Sequence, residues 1–156
     1  MAQEKSTPIS REDLVKALNG DLAREFQAVI GYVNYSQVLK GAAYMNIAKE
    51  LEVHAGEELD HALKICKQID YLGGTPTVTP EPVKTSKKPE DMLRFDLDNE
   101  LQTISHYRRR IQQAETMGEY ALCEILREIT IQEQEHAISL ATALGIEVPP
   151  IPETTG

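Results

Sequence analysis

Residues 56–65 read GEELDHALKI. Within this stretch Glu58 and His61 stand three positions apart, which places both side chains on one face of a helix. The residues sharing that face are apolar: Ile47 and Leu51 before, Ile65 and Ile69 after. Steps of three and four mark the buried stripe of an amphipathic helix. A carboxylate and an imidazole aimed into a core need a reason, because an unpaired buried charge is strongly unfavourable.

Three more amphipathic stripes surround this one. The first helix starts after Ser10, an N-cap with Asp13 three residues on, and runs Leu14, Leu18, Leu22, Glu25, Val29, Tyr32, Leu39 to a break at Gly41. The second is the opening helix, closed by Gly73-Gly74. The third follows Pro89 with Leu93, Leu97, Glu100, Ile104, Tyr107 and Ile111, and breaks at Gly118. The fourth carries Leu122, Ile125, Ile129, Glu133, His136, Leu140 and Leu144 and ends at Gly145. No stretch alternates as a strand would, so the fold class is all-α. Short breaks within each pair imply two antiparallel hairpins. The segment between them, GGTPTVTPEPVKTSKKP (73–89), has 17 residues and four prolines and cannot be helical. Extended, it reaches roughly 50–60 Å at about 3.3 Å per residue. A helix of about 28 residues is roughly 42 Å long, so this loop can cross the whole bundle. The expected organisation is an N-terminal flexible segment 1–9, a four-helix bundle 10–145 and a proline-rich tail 146–156.

The two hairpins repeat each other. DLAREFQAVIGY from Asp21 matches DLDNELQTISHY from Asp96 at an offset of 75, and Glu58, His61 and Ala62 recur as Glu133, His136 and Ala137. Each half has one lone Glu and one Glu-x-x-His, 33 residues apart: Glu25 with Glu58 and His61, Glu100 with Glu133 and His136. Both members lie about 16 residues from their hairpin turn, so they meet at one height. Four carboxylates and two imidazoles then converge at mid-bundle. Four ionised Glu in a core demand counter-charge, and two divalent cations supply it. Mixed oxygen and imidazole ligands suit iron, with manganese or zinc as alternatives. Glu25, Glu58, His61, Glu100, Glu133 and His136 are thus the candidate metal ligands, and such bundle-core Glu and Glu-x-x-His sets are a known arrangement for di-iron and di-manganese sites. A set of core polar groups that satisfy one another is the blander alternative. Both histidines must be neutral to ligate, so affinity is expected to fall from about pH 7 to 5.

On the stretches NGDLAREFQAVIGY, EELDHA, EDMLRFDLDNEL and EQEHA, the chain resembles bacterioferritin, within the ferritin-like superfamily, over roughly residues 10–145. The resemblance implies a ferroxidase centre with two iron ions per subunit, oxidising ferrous iron with oxygen or peroxide. It implies Glu58 and Glu133 as bridging ligands and Glu25 and Glu100 as terminal ones. It adds Tyr32 beside the site. The family's haem-ligating methionine position is Leu59 here, so haem is not expected. The chain ends in PPIPETTG where the family has a fifth helix. A homo-oligomer, at least a dimer, is expected, with a cage left open. A rubrerythrin-like peroxide-reducing protein is a second reading, though paired C-x-x-C motifs are missing. A non-catalytic metal-binding bundle is a third.

Composition narrows the partners. Hydrophobic residues are 41% and charged ones 26%, as in a globular protein, and a net charge of −9 argues against nucleic acid or anionic membrane. No apolar run approaches the roughly 18 residues of a membrane span, and MAQEKSTPIS has no hydrophobic signal core, so a cytoplasmic location is expected. Cys66 and Cys123 read as buried inert thiols. Tyr32 and Tyr107, each seven residues after a lone Glu, either serve the ligands by hydrogen bond or electron donation, or are core aromatics with satisfied hydroxyls. His54 reads as an ordinary polar residue near the bundle surface, with an extra metal site as the alternative. Arg108–Arg110 reads as a solvated face with interhelical pairing.

Overall fold

The computed structural model describes residues 8–154. Residues 1–7, most of the expected N-terminal segment, and residues 155–156 lie outside the described part. Four α-helices build the described part of the molecule: α1 (Arg11–Val38), α2 (Met45–Tyr71), α3 (Pro89–Thr116) and α4 (Tyr120–Leu144). Among the described residues no strand occurs, as the stripes require. Ser10 caps α1 by accepting a hydrogen bond from the Asp13 amide at 3.0 Å. Pro89 opens α3, where its missing N–H costs nothing. Gly145 ends α4 at φ 71°, a left-handed conformation that suits glycine, and the Ile146 amide returns to the Ala141 carbonyl at 3.0 Å.

α1 packs against α2 and α3 packs against α4, and the hairpins join through α1–α3 and α2–α4 contacts. The crossover runs alongside α1. Asn19 holds Thr75 and Thr77, the Ala23 carbonyl accepts from the Glu81 amide, Gln27 reaches the Pro82 carbonyl, and Tyr35 reaches that of Lys84. Loop number rises with helix number, so the chain travels the length of α1 before α3 begins. α3 must therefore run antiparallel to α1. At the start of the strap, Gly74 lies so close to Val15 that a Cβ there would collide with it. The tail residues 146–154 have no helix; Ile146 and Ile151 pack onto the bundle, and Thr154 meets Ser105 on α3.

The core is divided in two. Leu14, Leu18, Leu22, Ile65, Ile69, Leu126 and Ile129 form one apolar cluster. Leu39, Ile47, Leu51, Met92, Leu93, Leu97 and Leu140 form the other. Between these clusters in the chain register lie the polar members of all four stripes. Burying each large side chain contributes on the order of 1.5–3 kcal/mol, so two apolar ends hold together a bundle whose middle is polar.

Two expectations change. Arg110 makes the expected interhelical pair but not from a solvated face: it is 4% exposed and its guanidinium grips Asp21 across the α1–α3 contact, at 2.7 Å from Nε and 3.3 Å from Nη2. The buried Asp21 carboxylate demanded that cation, and Arg24 is its second partner. His54 is not near the surface either; it is 6% exposed and belongs to the central layer.

Candidate metal centre

Each helix contributes to one buried level. Glu25 (α1), Glu58 and His61 (α2), Glu100 (α3), and Glu133 and His136 (α4) are all 2% exposed or less. Their donor atoms form two overlapping sets of four. Glu25, Glu58, His61 and Glu133 offer atoms within 4.8 Å of one another, and so do Glu58, Glu100, Glu133 and His136. Glu58 and Glu133 belong to both sets. Both histidines turn Nδ1 inward: His61 Nδ1 lies 2.9 Å from Glu133, 3.5 Å from Glu58 and 3.6 Å from Glu25. His136 Nδ1 lies 2.8 Å from Glu58, 3.4 Å from Glu100 and 3.9 Å from Glu133.

The orphaned atoms test whether cations fit. Glu25 Oε2, both oxygens of Glu58, Glu100 Oε2, Glu133 Oε1 and both inward Nδ1 atoms are buried without an aligned hydrogen-bond partner. Buried polar atoms are normally satisfied, so seven orphans at one level are what a pair of shared cations would resolve. The remaining terminal oxygens have donors. Tyr32 donates to Glu100 Oε1 at 2.6 Å and Tyr107 donates to Glu25 Oε1. Both tyrosines hydrogen-bond ligand-type carboxylates, each across the α1–α3 contact into the other hairpin.

Electrostatics follow from the crowding. Burial, then the charges of Glu25 and Glu100, push Glu58 well above the usual carboxylate range. Burial, then Glu100 and Glu58, do the same to Glu133. Burial opposes the charge of Glu100, but Glu133, His136 and Tyr32 together bring it below the usual range. Burial alone would lower His61, yet Glu133 and Glu25 lift it to about 11. His136 is opposed by burial and raised by Glu100 and Glu57. Without metal, the two shared glutamates and the two histidines thus hold protons more tightly than they would in water. Its competition with metal extends above pH 7, a higher window than an ordinary imidazole gives.

Glu57 and Gln132 were missed in the sequence. They are related by the same offset of 75 as the ligand-type residues, and that repeat was the available signal. Gln132 Oε1 stands 2.5 Å from His61 Nε2, and Gln132 Nε2 donates to Glu57 Oε2 at 2.8 Å. His54 was misread because its stripe position matches a ligand turn but its repeat partner is Ile129. Its ring stacks on His136 at 4.0 Å and meets Tyr32 edge-on at 5.2 Å. Burial, with His136 beside it, lowers it to about 4, so it stays neutral. His54, Glu57 and His136 form a third group of ligand-type atoms. A histidine that ligates through Nδ1 keeps its proton on Nε2, so this group and the central pair compete for His136.

Two repeated hairpins, tied by a lengthwise strap around a buried carboxylate and histidine layer, define a class of four-helix bundle with a polar middle. The ferritin-like domain matches residues 15–147, and the chain belongs to that family. A bacterioferritin of Brucella melitensis is 25% identical over 134 residues, covering 85% of this chain and 83% of that protein. A ferritin-like, diiron-carboxylate protein of Bacillus anthracis superposes with a TM-score of 0.83 at 30% identity, covering 87% of this chain and 99% of that one. A bacterioferritin-related dodecameric thioferritin of Bacteroides fragilis gives 0.81 at 25% identity, with 88% and 87% covered. The four-helix fold and the resemblance to bacterioferritin are both borne out. No described helix is long and apolar enough to cross a membrane.

Proposed function

We propose that the chain oxidises ferrous iron at a dinuclear centre held by Glu25, Glu58, His61, Glu100, Glu133 and His136. The observation that carries this reading is the overlap of two four-residue sets in Glu58 and Glu133, where both oxygens of Glu58 and Oε1 of Glu133 are buried without a hydrogen-bond partner. Glu25 and His61 would complete one position, and Glu100 and His136 the other. Two ferrous ions bound together supply two electrons to one oxidant, which takes up two protons and leaves both ions ferric.

The chain's own residues do the rest. Four carboxylates favour the higher charge of the ferric product over the ferrous substrate. Glu58 and Glu133 release their protons as iron arrives, because burial keeps them protonated only while the site is empty of cations. Tyr32 and Tyr107 hold the terminal carboxylates in orientation, and the apolar clusters on either side exclude bulk water. Manganese or zinc would satisfy the same donors without turnover.

Support for an oligomer comes from the dodecameric relative and from large apolar side chains left exposed along the first hairpin: Ile30 at 45%, Val33 at 53%, Leu59 at 50% and Leu63 at 62%. Leu59 offers no donor atom, which supports an iron centre without methionine-bound haem. The test is anaerobic titration with ferrous iron, followed by oxygen or peroxide. Two irons bound per chain and rapid oxidation are expected, with the faster oxidant separating oxygen use from peroxide use. Binding without oxidation by either would leave only a metal-binding bundle.

A further inference from the structure

The ligand-type residues are symmetric between the hairpins, but what stands behind the two histidines is not. Each turns Nδ1 inward, so each presents Nε2 outward toward α2 and α4. Behind His61 is the neutral amide of Gln132, its Oε1 2.5 Å from Nε2. Behind His136 nothing hydrogen-bonds Nε2, and the nearest carboxylate oxygen, Glu57 Oε1, faces it across 3.6 Å. Glu57 and Gln132 occupy equivalent places in the repeat, one an acid and one an amide. They are also joined, because Gln132 Nε2 donates to Glu57 Oε2 at 2.8 Å. That bond fixes the amide: its oxygen must face His61 and its nitrogen Glu57. His61 can then only donate from Nε2, which leaves Nδ1 free as the inward donor.

We propose that Glu57 is a positioning residue that sets the order of metal loading, so that the position built on His136, Glu100, Glu58 and Glu133 fills before the one built on His61, Glu25, Glu58 and Glu133. The negative charge of a carboxylate behind a ligating imidazole makes the inward nitrogen a stronger donor; where the ring N–H is drawn onto that carboxylate as the metal binds, loss of the partner typically weakens metal binding about 10- to 100-fold. An amide carbonyl holds the ring in place but adds no charge. His54 stacks on the His136 ring at 4.0 Å and steadies its orientation. Glu57 is also the partly exposed member of the group, its side chain 27% accessible, so the stronger position lies nearer the surface. The functional consequence is sequential filling, in which the first ion helps to assemble Glu58 and Glu133 for the second.

This inference rests on the dinuclear reading, and the experiment separates the two. Crystals of the full chain are loaded with one equivalent of cobalt(II), which is not oxidised under these conditions, and the ion is located by its anomalous scattering. In the wild type the ion should be found mainly in the His136 set. The exchange Glu57→Gln with Gln132→Glu preserves net charge and should move it to the His61 set. Glu57→Gln alone should abolish the preference and weaken the first step of a calorimetric cobalt titration about tenfold or more. That single variant carries the test if the exchanged chain does not fold. Equal occupancy in the wild type, a first ion beside His61, or a preference unchanged by Glu57→Gln overturns the inference. An ion held by His54 and Glu57 also overturns it, since Glu57 would then be a ligand. Cobalt in neither set defeats the dinuclear reading itself.

Discussion

Tyr32, on α1, donates its phenolic hydrogen to Glu100, on α3, at 2.6 Å. Its repeat partner Tyr107 makes the reciprocal bond from α3 to Glu25 on α1. Each hairpin therefore steadies the lone glutamate of the other. Burial, then the neighbouring Glu100, keeps the Tyr32 phenol protonated far above its ordinary range. Burial and Glu25 do the same for Tyr107. Both remain donors throughout the neutral range.

Replacing Tyr32 by Phe leaves a buried glutamate oxygen without its donor. An unsatisfied buried acceptor costs about 1–3 kcal/mol. Tyr32→Phe and Tyr107→Phe should each lower the metal-free stability by that order, with the helix content retained. Denaturant unfolding measures it. Unchanged midpoints in both variants would mean that the tyrosines are ordinary core aromatics.

Glu58→Ala removes a residue common to both four-residue sets. It should abolish tight binding at both positions rather than one, whereas Glu25→Ala should spare the His136 set. The metal-free bundle should not suffer, because Glu58 is repelled by Glu25 and Glu100. Metal titration with circular dichroism checks both points. A Glu58→Ala chain that still binds two ions at full affinity would mean that the ligands are assigned wrongly.

The helices, the strap and the convergence of six polar residues could be read from period, proline content and an offset repeat. These are local or translational signals. The burial of Arg110, and which residue it pairs with, could not be read that way. Its helix position places it among charged neighbours, and only the fold shows that Asp21 is buried opposite it. His54 fails for a related reason: a polar residue on a buried stripe has a partner that lies on another helix, here His136. Glu57 and Gln132 obeyed the repeat, but nothing in one chain shows that an acid and an amide meet.

The Asp21–Arg110 pair ties α1 to α3 with both side chains almost wholly buried, at 0% and 5% exposure. Removing one partner of a buried pair costs about 3–5 kcal/mol, since the other charge stays behind. Arg24 also holds Asp21, so Arg110→Ala should fall at the lower end of that range. Asp21→Asn combined with Arg110→Met should recover much of the loss. Chemical denaturation of the three chains decides it, and an Arg110→Ala variant as stable as wild type would show that Arg24 alone suffices.

The pH dependence has a definite sign. His61 is lifted from an ordinary value near 6.5 to about 11, against the effect of burial, by Glu133 and Glu25. Glu58 and Glu133 are raised as well, by burial and by their neighbours. A group whose folded pKa exceeds its unfolded one stabilises the fold fully below the unfolded value, and that contribution is lost as pH climbs to the folded one. For His61 the loss spans about pH 6.5 to 11. For the two glutamates it begins above the ordinary carboxylate range. The layer's contribution to metal-free stability should therefore decline as pH rises. Metal needs those same protons removed, so its stabilisation should grow over the same interval. Melting curves with and without cobalt(II) at pH 5, 7 and 8.5 test this. The metal-induced rise should be smallest at pH 5 and still increasing between 7 and 8.5, where an unperturbed imidazole would already be saturated. Calorimetry in buffers of different ionisation enthalpy should show protons released as both positions fill. A rise that levels off by pH 7 would mean that the histidines titrate normally and the carboxylates do not hold them. No rise at any pH would mean that the six residues satisfy one another and bind no metal.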